Sequence, residues 1–241
     1  MLTSYQNQVQ ELLQNPSAPT SLYNTTDLTN YINTARVQIA GEGECIRYMA
    51  TVPITSGNQG PYAFSSFNTG TSSANGIQGV LNARHLWYVS GSGQVWMTPR
   101  SFDWFAIYDL NAATPPSGVP AEWAQYGQGV NGTIYVSPPP NANFTLNADT
   151  VCYPIPLASD STVEAIPPLW QTAVPYFAAY MALLSAQTGA RVQDAQRMLQ
   201  LYELFMQRAR RFANPEVLPL QYDQAIPGVQ ATQYGIQGKS A

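Results

Sequence analysis

Apolar residues recur at three- and four-residue spacing through residues 167–212, the longest stretch of the chain with a single reading. After Pro167-Pro168, one face is marked by Val174, Phe177, Ala178, Met181 and Leu184. Pro175 falls early in that run, where a missing N–H costs least. Thr188-Gly189 interrupts the pattern. It resumes with Val192, Ala195, Met198, Leu199, Tyr202, Phe205, Met206, Ala209 and Phe212, while Arg191, Asp194, Arg197, Gln200, Glu203, Gln207, Arg208 and Arg211 take the opposite side. Two amphipathic helices, each about 30 Å long at 1.5 Å per residue, joined by so short a turn, are expected to lie antiparallel as a helical hairpin.

The other end of the chain repeats the helical period more briefly. Tyr5, Val9, Leu12 and Leu13 predict a helix over residues 3–14, with Thr3 or Ser4 able to cap it and Asn15-Pro16 ending it. Thr25 or Thr26 is expected to cap a second helix, with Leu28, Tyr31, Ile32, Ala35 and Ile39 on one face and Gly41 to Gly43 as its stop. From Cys45 the pattern changes. Residues 48–52 alternate and Pro53 closes them, whereas residues 55–80 are rich in glycine and small polar residues and read as a long loop. Residues 85–89 and 94–98 read as strands around Ser-Gly-Ser-Gly, a hairpin signal. Residues 101–110 are read as a further strand. Residues 132–136 and 144–153 read as a strand pair around Pro138-Pro139-Pro140-Asn141. Residues 214–241 have no periodicity, yet scatter eight apolar residues among Pro215, Pro219 and Pro227. That composition suggests an extended arm that docks on something.

The expected fold class is therefore α+β. A four-helix bundle would form from the two chain ends, residues 1–44 and 165–213, because each end alone leaves an apolar face unburied. Residues 45–164 would be an inserted antiparallel β sandwich or barrel, and residues 214–241 an extended C-terminal arm.

Composition sharpens this picture. Only 10 % of the 241 residues are charged, against about 25 % in ordinary soluble chains. A subunit that buries its flanks against copies of itself fits so low a figure. The net charge of −4 and the pI near 4.8 disfavour non-specific adhesion to nucleic acid. No apolar run approaches the roughly 18 residues that span a bilayer, so a soluble chain is expected. With no secretory leader, Cys45 and Cys152 are expected as free thiols of a reducing compartment, although spacing alone leaves a pairing between them open.

Candidate chemistry is sparse. His85, the sole histidine, has no sequence-adjacent partner and reads as structural. No metal-ligand spacing occurs, and nothing calls for a cofactor. Ser90-Gly-Ser-Gly93 lacks the Lys-Ser/Thr of a phosphate loop and reads as a turn. Asp103, Asp109 and Glu122 near Trp104, Tyr108 and Trp123 resemble a sugar site with paired carboxylates, but aromatic residues at such spacing are more often core. The triplets at Asn24, Asn131 and Asn143 carry no weight without a secretory route. Arg208, Arg210 and Arg211 either complement the negative end of the last helix or contact an acidic partner. The expectation is a protein without catalytic activity.

The order of elements resembles the head–tail adaptor (connector) proteins of tailed bacteriophages. The resemblance rests on Thr26-Asp-Leu-Thr-Asn-Tyr-Ile-Asn-Thr-Ala-Arg36, on Gly132-Thr-Ile-Tyr-Val-Ser-Pro-Pro-Pro140, and on Val163-Glu-Ala-Ile-Pro-Pro-Leu-Trp170. The last leads into the alanine-rich Val174-Pro-Tyr-Phe-Ala-Ala-Tyr-Met-Ala-Leu-Leu184. It implies a virion protein made in the host cytoplasm, forming a ring, commonly of twelve copies, beneath the portal. DNA would pass through without specific binding, and tail or nozzle proteins would attach on the far side. It also implies that the arm docks on the portal, with Leu218, Leu220, Tyr222, Ile226 and Tyr234 as anchors. The alternative from a different class is a carbohydrate- or receptor-binding tail module built on the β-rich segment.

Overall fold

The computed structural model describes residues 1–14, 22–69, 75–90, 93–108, 110, 116–185 and 189–213. The chain begins with helices α1 (Leu2–Leu13) and α2 (Thr25–Gly43). A β-rich part follows: β1 (Arg47–Ile54), β2 (Tyr62–Ala63), β3 (Ile77–Ser90), β4 (Gly93–Trp96) and β5 (Thr98–Arg100). A short helix α3 (Phe102–Tyr108) precedes β6 (Glu122–Tyr126), β7 (Thr133–Ser137) and β8 (Phe144–Pro154). Helices α4 (Pro168–Gln171), α5 (Ala173–Ser185) and α6 (Gly189–Ala213) complete the described chain. The fold is α+β. Asn15-Pro16 and all five arm anchors lie outside the described residues.

Apolar periodicity located the long helices, but their caps differ from expectation. Neither Thr3 nor Ser4 caps α1; Thr3 instead donates from its Oγ1 to Asp160 at 2.5 Å. Asn24, rather than Thr25 or Thr26, caps α2, its Oδ1 accepting the Asp27 N–H at 2.8 Å. α2 ends at Gly43, within the expected Gly41–Gly43 stop, with Glu44 after it in the left-handed region (φ 46°). Gly43 has its own reason. A Cβ there would lie 2.6 Å from the Trp170 ring, so the absent side chain lets α4 seat its tryptophan on the end of α2.

Helix α5 is the central member of the helical layer, packed on α6, α2 and α1. Its buried Ala173, Ala178, Ala179 and Ala182 present little bulk and allow neighbouring helices to come near. Against α6, Tyr176 stacks on Phe205 at 5.0 Å and Phe177 meets Tyr202 at 4.8 Å. Rising numbers on one helix pair with falling numbers on the other, so the two run antiparallel.

The strands form two four-stranded sheets, ordered β1-β8-β3-β4 and β2-β7-β6-β5. Neither closes into a barrel, and the β5–β6 pair is parallel, so the second sheet is not purely antiparallel. Residues 133–137 and 144–154 are strands, but they do not pair with each other. β8 lies between β1 and β3, whereas β7 lies between β2 and β6. Residues 101–110 contain α3 instead of a strand. There Phe105 is fully buried and Phe102 packs on Tyr126 and Tyr135 at 4.5 and 5.2 Å, so tertiary contacts override the local strand preference. Segment 55–80, expected as loop, holds β2 and the start of β3. Pro53 lies inside β1 rather than ending it, opposite Thr145, as an edge strand permits.

Helices and sheets share one buried cluster, running from Leu2 and Val9 through Ile32 and Ile39 to Leu146, Ile134 and Val136. A polar knot crosses the join. Arg36 of α2, fully buried, donates to both Glu164 oxygens at 2.8–3.2 Å, to Asn33 Oδ1 at 3.2 Å and to the Ile155 carbonyl at 2.8 Å. Asn33 in turn exchanges two hydrogen bonds with the backbone of Leu157.

Candidate interaction surfaces

Strand alternation sorts the side chains of β3 between two faces. Leu86 and Tyr88 are buried on one, while His85 and Val89 are exposed on the other. On that outer face a groove of about 380 Å³ is lined by Arg47, Tyr48, Met49, His85, Trp87, Trp96 and Asp149. Register explains the grouping, since Asp149 of β8 lies opposite both Met49 of β1 and His85 of β3, and Trp87 lies opposite Trp96. The two indoles sit 4.7 Å apart, tilted by 31°, and the His85 ring meets Trp96 edge-on at 6.1 Å. Trp96 covers Trp87 and is itself 57 % exposed. The buried Asp149 carboxylate is ion-paired with Arg47, whose Nε and Nη2 both donate to it. Ring faces here offer contact area, and one fixed charge pair offers orientation. The arrangement suits recognition.

Of these residues only His85 was singled out from sequence. The missed signal was a run of large residues at outward positions 85, 87, 89 and 96 of two neighbouring strands.

The arginines of α6 separate into different roles. Arg208 and Arg211 are exposed, on the same side as Arg197. Arg210 donates to the carbonyl of Glu42 at 2.9 Å and so complements the negative end of α2, not of its own helix. The Glu42 carboxylate also accepts from Tyr202 at 2.7 Å; burial, with that carboxylate beside it, raises the Tyr202 phenol above its ordinary pKa. Nearer the start of α6, Arg191 donates to the Tyr23 hydroxyl at 3.0 Å.

The sequence-level sugar site does not assemble among the described residues. Glu122 is held by Arg100 at 2.6 Å, Arg100 lies 5.2 Å above the Trp104 ring, and Trp123 is buried in the core. Asp103 is exposed on α3, and Asp109 lies outside the described residues. Ser90 and Gly93 pair across a hairpin between β3 and β4. Asn24 and Asn143 are used structurally, the latter accepting the Ser56 N–H at 2.9 Å. Cys45 and Cys152 are both free thiols. Burial pushes the Cys45 thiol up to about 12 and also raises that of Cys152. Among the described residues no group of three His, Cys, Asp or Glu is placed to hold a metal ion, and no helix is long and apolar enough to cross a membrane.

No curated protein matches the chain. The family model described as SU10 adaptor protein matches residues 2–219. That span takes in both helical ends, both sheets and the groove, and reaches past the end of α6. The chain therefore belongs to the SU10 adaptor protein family and is a structural adaptor of tailed-phage virions.

Proposed function

We propose that the chain is the repeating subunit of a ring at the head–tail junction, seated between the portal and the tail or nozzle proteins, with DNA passing through its lumen. The observation that carries this reading is the family match over residues 2–219. In this reading the helices of the two chain ends act as one four-helix unit, and twelve copies of it build the ring. The β-rich part is an insertion whose two sheets pack as a sandwich and face outward or toward the tail. The arm, residues 214–241, reaches the portal, and Arg208 and Arg211 contact acidic neighbours.

Composition supports the reading. Few charges leave broad flanks that subunits can bury against each other, and a net charge of −4 lets DNA slide past without being held. The role is mechanical, with no reaction assigned to the chain. Electron microscopy of the purified protein, alone and mixed with portal, tests it. Closed rings that cap the portal are expected, and monomers that ignore the portal in both samples would overturn the proposal.

A further inference from the structure

The groove on the outer face of the first sheet joins a flat ring to a fixed pair of opposite charges. The Trp96 indole rests on Trp87 at 4.7 Å and meets His85 edge-on. Its position is therefore held, although 57 % of the residue is exposed. Beside it, the Arg47 guanidinium gives one donor to each oxygen of the Asp149 carboxylate. A carboxylate has about four acceptor positions, so acceptor capacity remains. The His85 ring makes no hydrogen bond among the described residues, and a neutral imidazole carries one donor and one acceptor. The exposed Met49 lies opposite Asp149 and forms the far wall.

These features select a class of ligand. Arg47 and Asp149 neutralise each other, and Arg84, the residue before His85, is paired with Glu44 at 3.4 Å. A charged ligand would give up its hydration in the groove without meeting a free counter-charge. An apolar side chain would cover Trp96 but would cut the polar groups of Asp149, Arg47 and His85 off from water with no partner. A sugar ring meets both demands. The C–H groups on one side of such a ring pack on an indole, and its rim of hydroxyls, each donor and acceptor, matches a carboxylate, a guanidinium and an imidazole set side by side. The volume of about 380 Å³ falls at the small end of the range of about 300–1,000 Å³ for small-ligand sites, which suits a short saccharide.

We propose that the groove is a carbohydrate site for neutral sugars, with Trp96 as the stacking platform and Asp149, Arg47 and His85 as the hydrogen-bonding groups. None of these residues belongs to the Asp103 and Glu122 set, which the fold takes apart. The site lies on the β-rich part, apart from the helices assigned to the ring, and it does not depend on the ring reading.

Titration of the full chain with neutral sugars tests it. The probes are methyl glycosides of glucose, galactose, mannose and N-acetylglucosamine, together with maltose, lactose and chitobiose. At least one should bind saturably and shift the Trp96 indole N–H signal in a nitrogen-resolved NMR spectrum. Affinity in each variant is then read on the sugar by saturation-transfer NMR. Trp96→Ala should weaken binding about tenfold, the loss of a stacked aromatic contact and its area, while Trp96→Phe should retain more of it. His85→Ala should weaken binding too, and Leu204→Ala, on the exposed side of α6, should leave it unchanged. Thermal unfolding of each variant near the natural temperature verifies that it is folded. Tighter binding of a disaccharide than of its monosaccharide assigns a glycan chain, and equal binding assigns a single terminal or free sugar; both support the proposal. Saturation by none of the probes, unchanged affinity in both Trp96→Ala and His85→Ala, or tighter binding of free adenine than of every sugar would overturn it. Ring formation is scored separately, so failure of that reading leaves this result standing.

Discussion

Arg36 on α2 and Glu164 on the segment entering α4 form an ion pair closed off from solvent, 2.8 Å between Nη2 and Oε1, with side-chain exposures of 0 and 6 %. The pair ties the first helical segment to the last across 128 positions of sequence. Removing one partner strands the other charge in a low-dielectric interior. Glu164→Gln or Arg36→Met should each cost about 3–5 kcal/mol. The double variant Arg36→Met/Glu164→Leu should cost much less than the sum, since no lone charge remains. Urea unfolding of the three variants measures this, and additive losses would contradict it.

Burial separates positions that share the helical period. Leu28 is fully buried, so Leu28→Ala should cost about 2–5 kcal/mol. Leu199 is only partly buried against the core, and Leu199→Ala should fall below that range. Gln200 is exposed; Gln200→Ala should stay within about 0.5 kcal/mol of the natural chain. Thermal and urea denaturation rank the three.

The Cys45 thiol should be unreactive in the folded chain at pH 8, because burial holds its proton up to about 12 and the thiolate is the nucleophile. The folded chain binds this proton more tightly than the unfolded chain, whose thiol titrates near its ordinary value of 9.0. The group's contribution to stability is therefore complete below pH 9 and is lost as pH rises toward 12. Labelling with iodoacetamide, native against urea-unfolded, reads the first effect. A denaturation midpoint that falls above pH 9, and falls less steeply in Cys45→Ala, reads the second; the buried Cys152, Tyr5 and Tyr202, also raised, supply the remaining slope.

Duplex DNA should bind the free protein weakly, with Kd no tighter than about 1 µM at physiological salt. Filter binding or fluorescence anisotropy across a salt series decides. A steep salt slope with tight binding would mean several phosphate contacts, with Arg197, Arg208 and Arg211 as the first residues to test.

A chain ending at Ala213 should unfold at nearly the same temperature as the full chain, because it keeps every residue of the buried cluster found among the described residues. It should lose attachment to portal. Calorimetry and co-sedimentation with portal measure the two halves, and unchanged attachment would remove the arm from the docking role.

Local period and tertiary pairing contributed differently to this molecule. α1, α2, α5 and α6 were legible because a helix closes its hydrogen bonds within itself, so its apolar stripe is written in contiguous sequence. The adaptor family was legible through the same helices and the proline-rich join before Trp170. Strand partners were not. β8 pairs with β1, about a hundred residues earlier, while the nearer β7 joins the other sheet, and a two-residue period states a strand's faces without naming its neighbour. Arg36 sat in plain view among Ile32, Ala35 and Ile39, yet its acceptors come from residues 155 and 164, which only the fold brings near. The groove arose the same way. Met49, His85, Trp96 and Asp149 come from four strands, and register alone decided that their side chains would share one face.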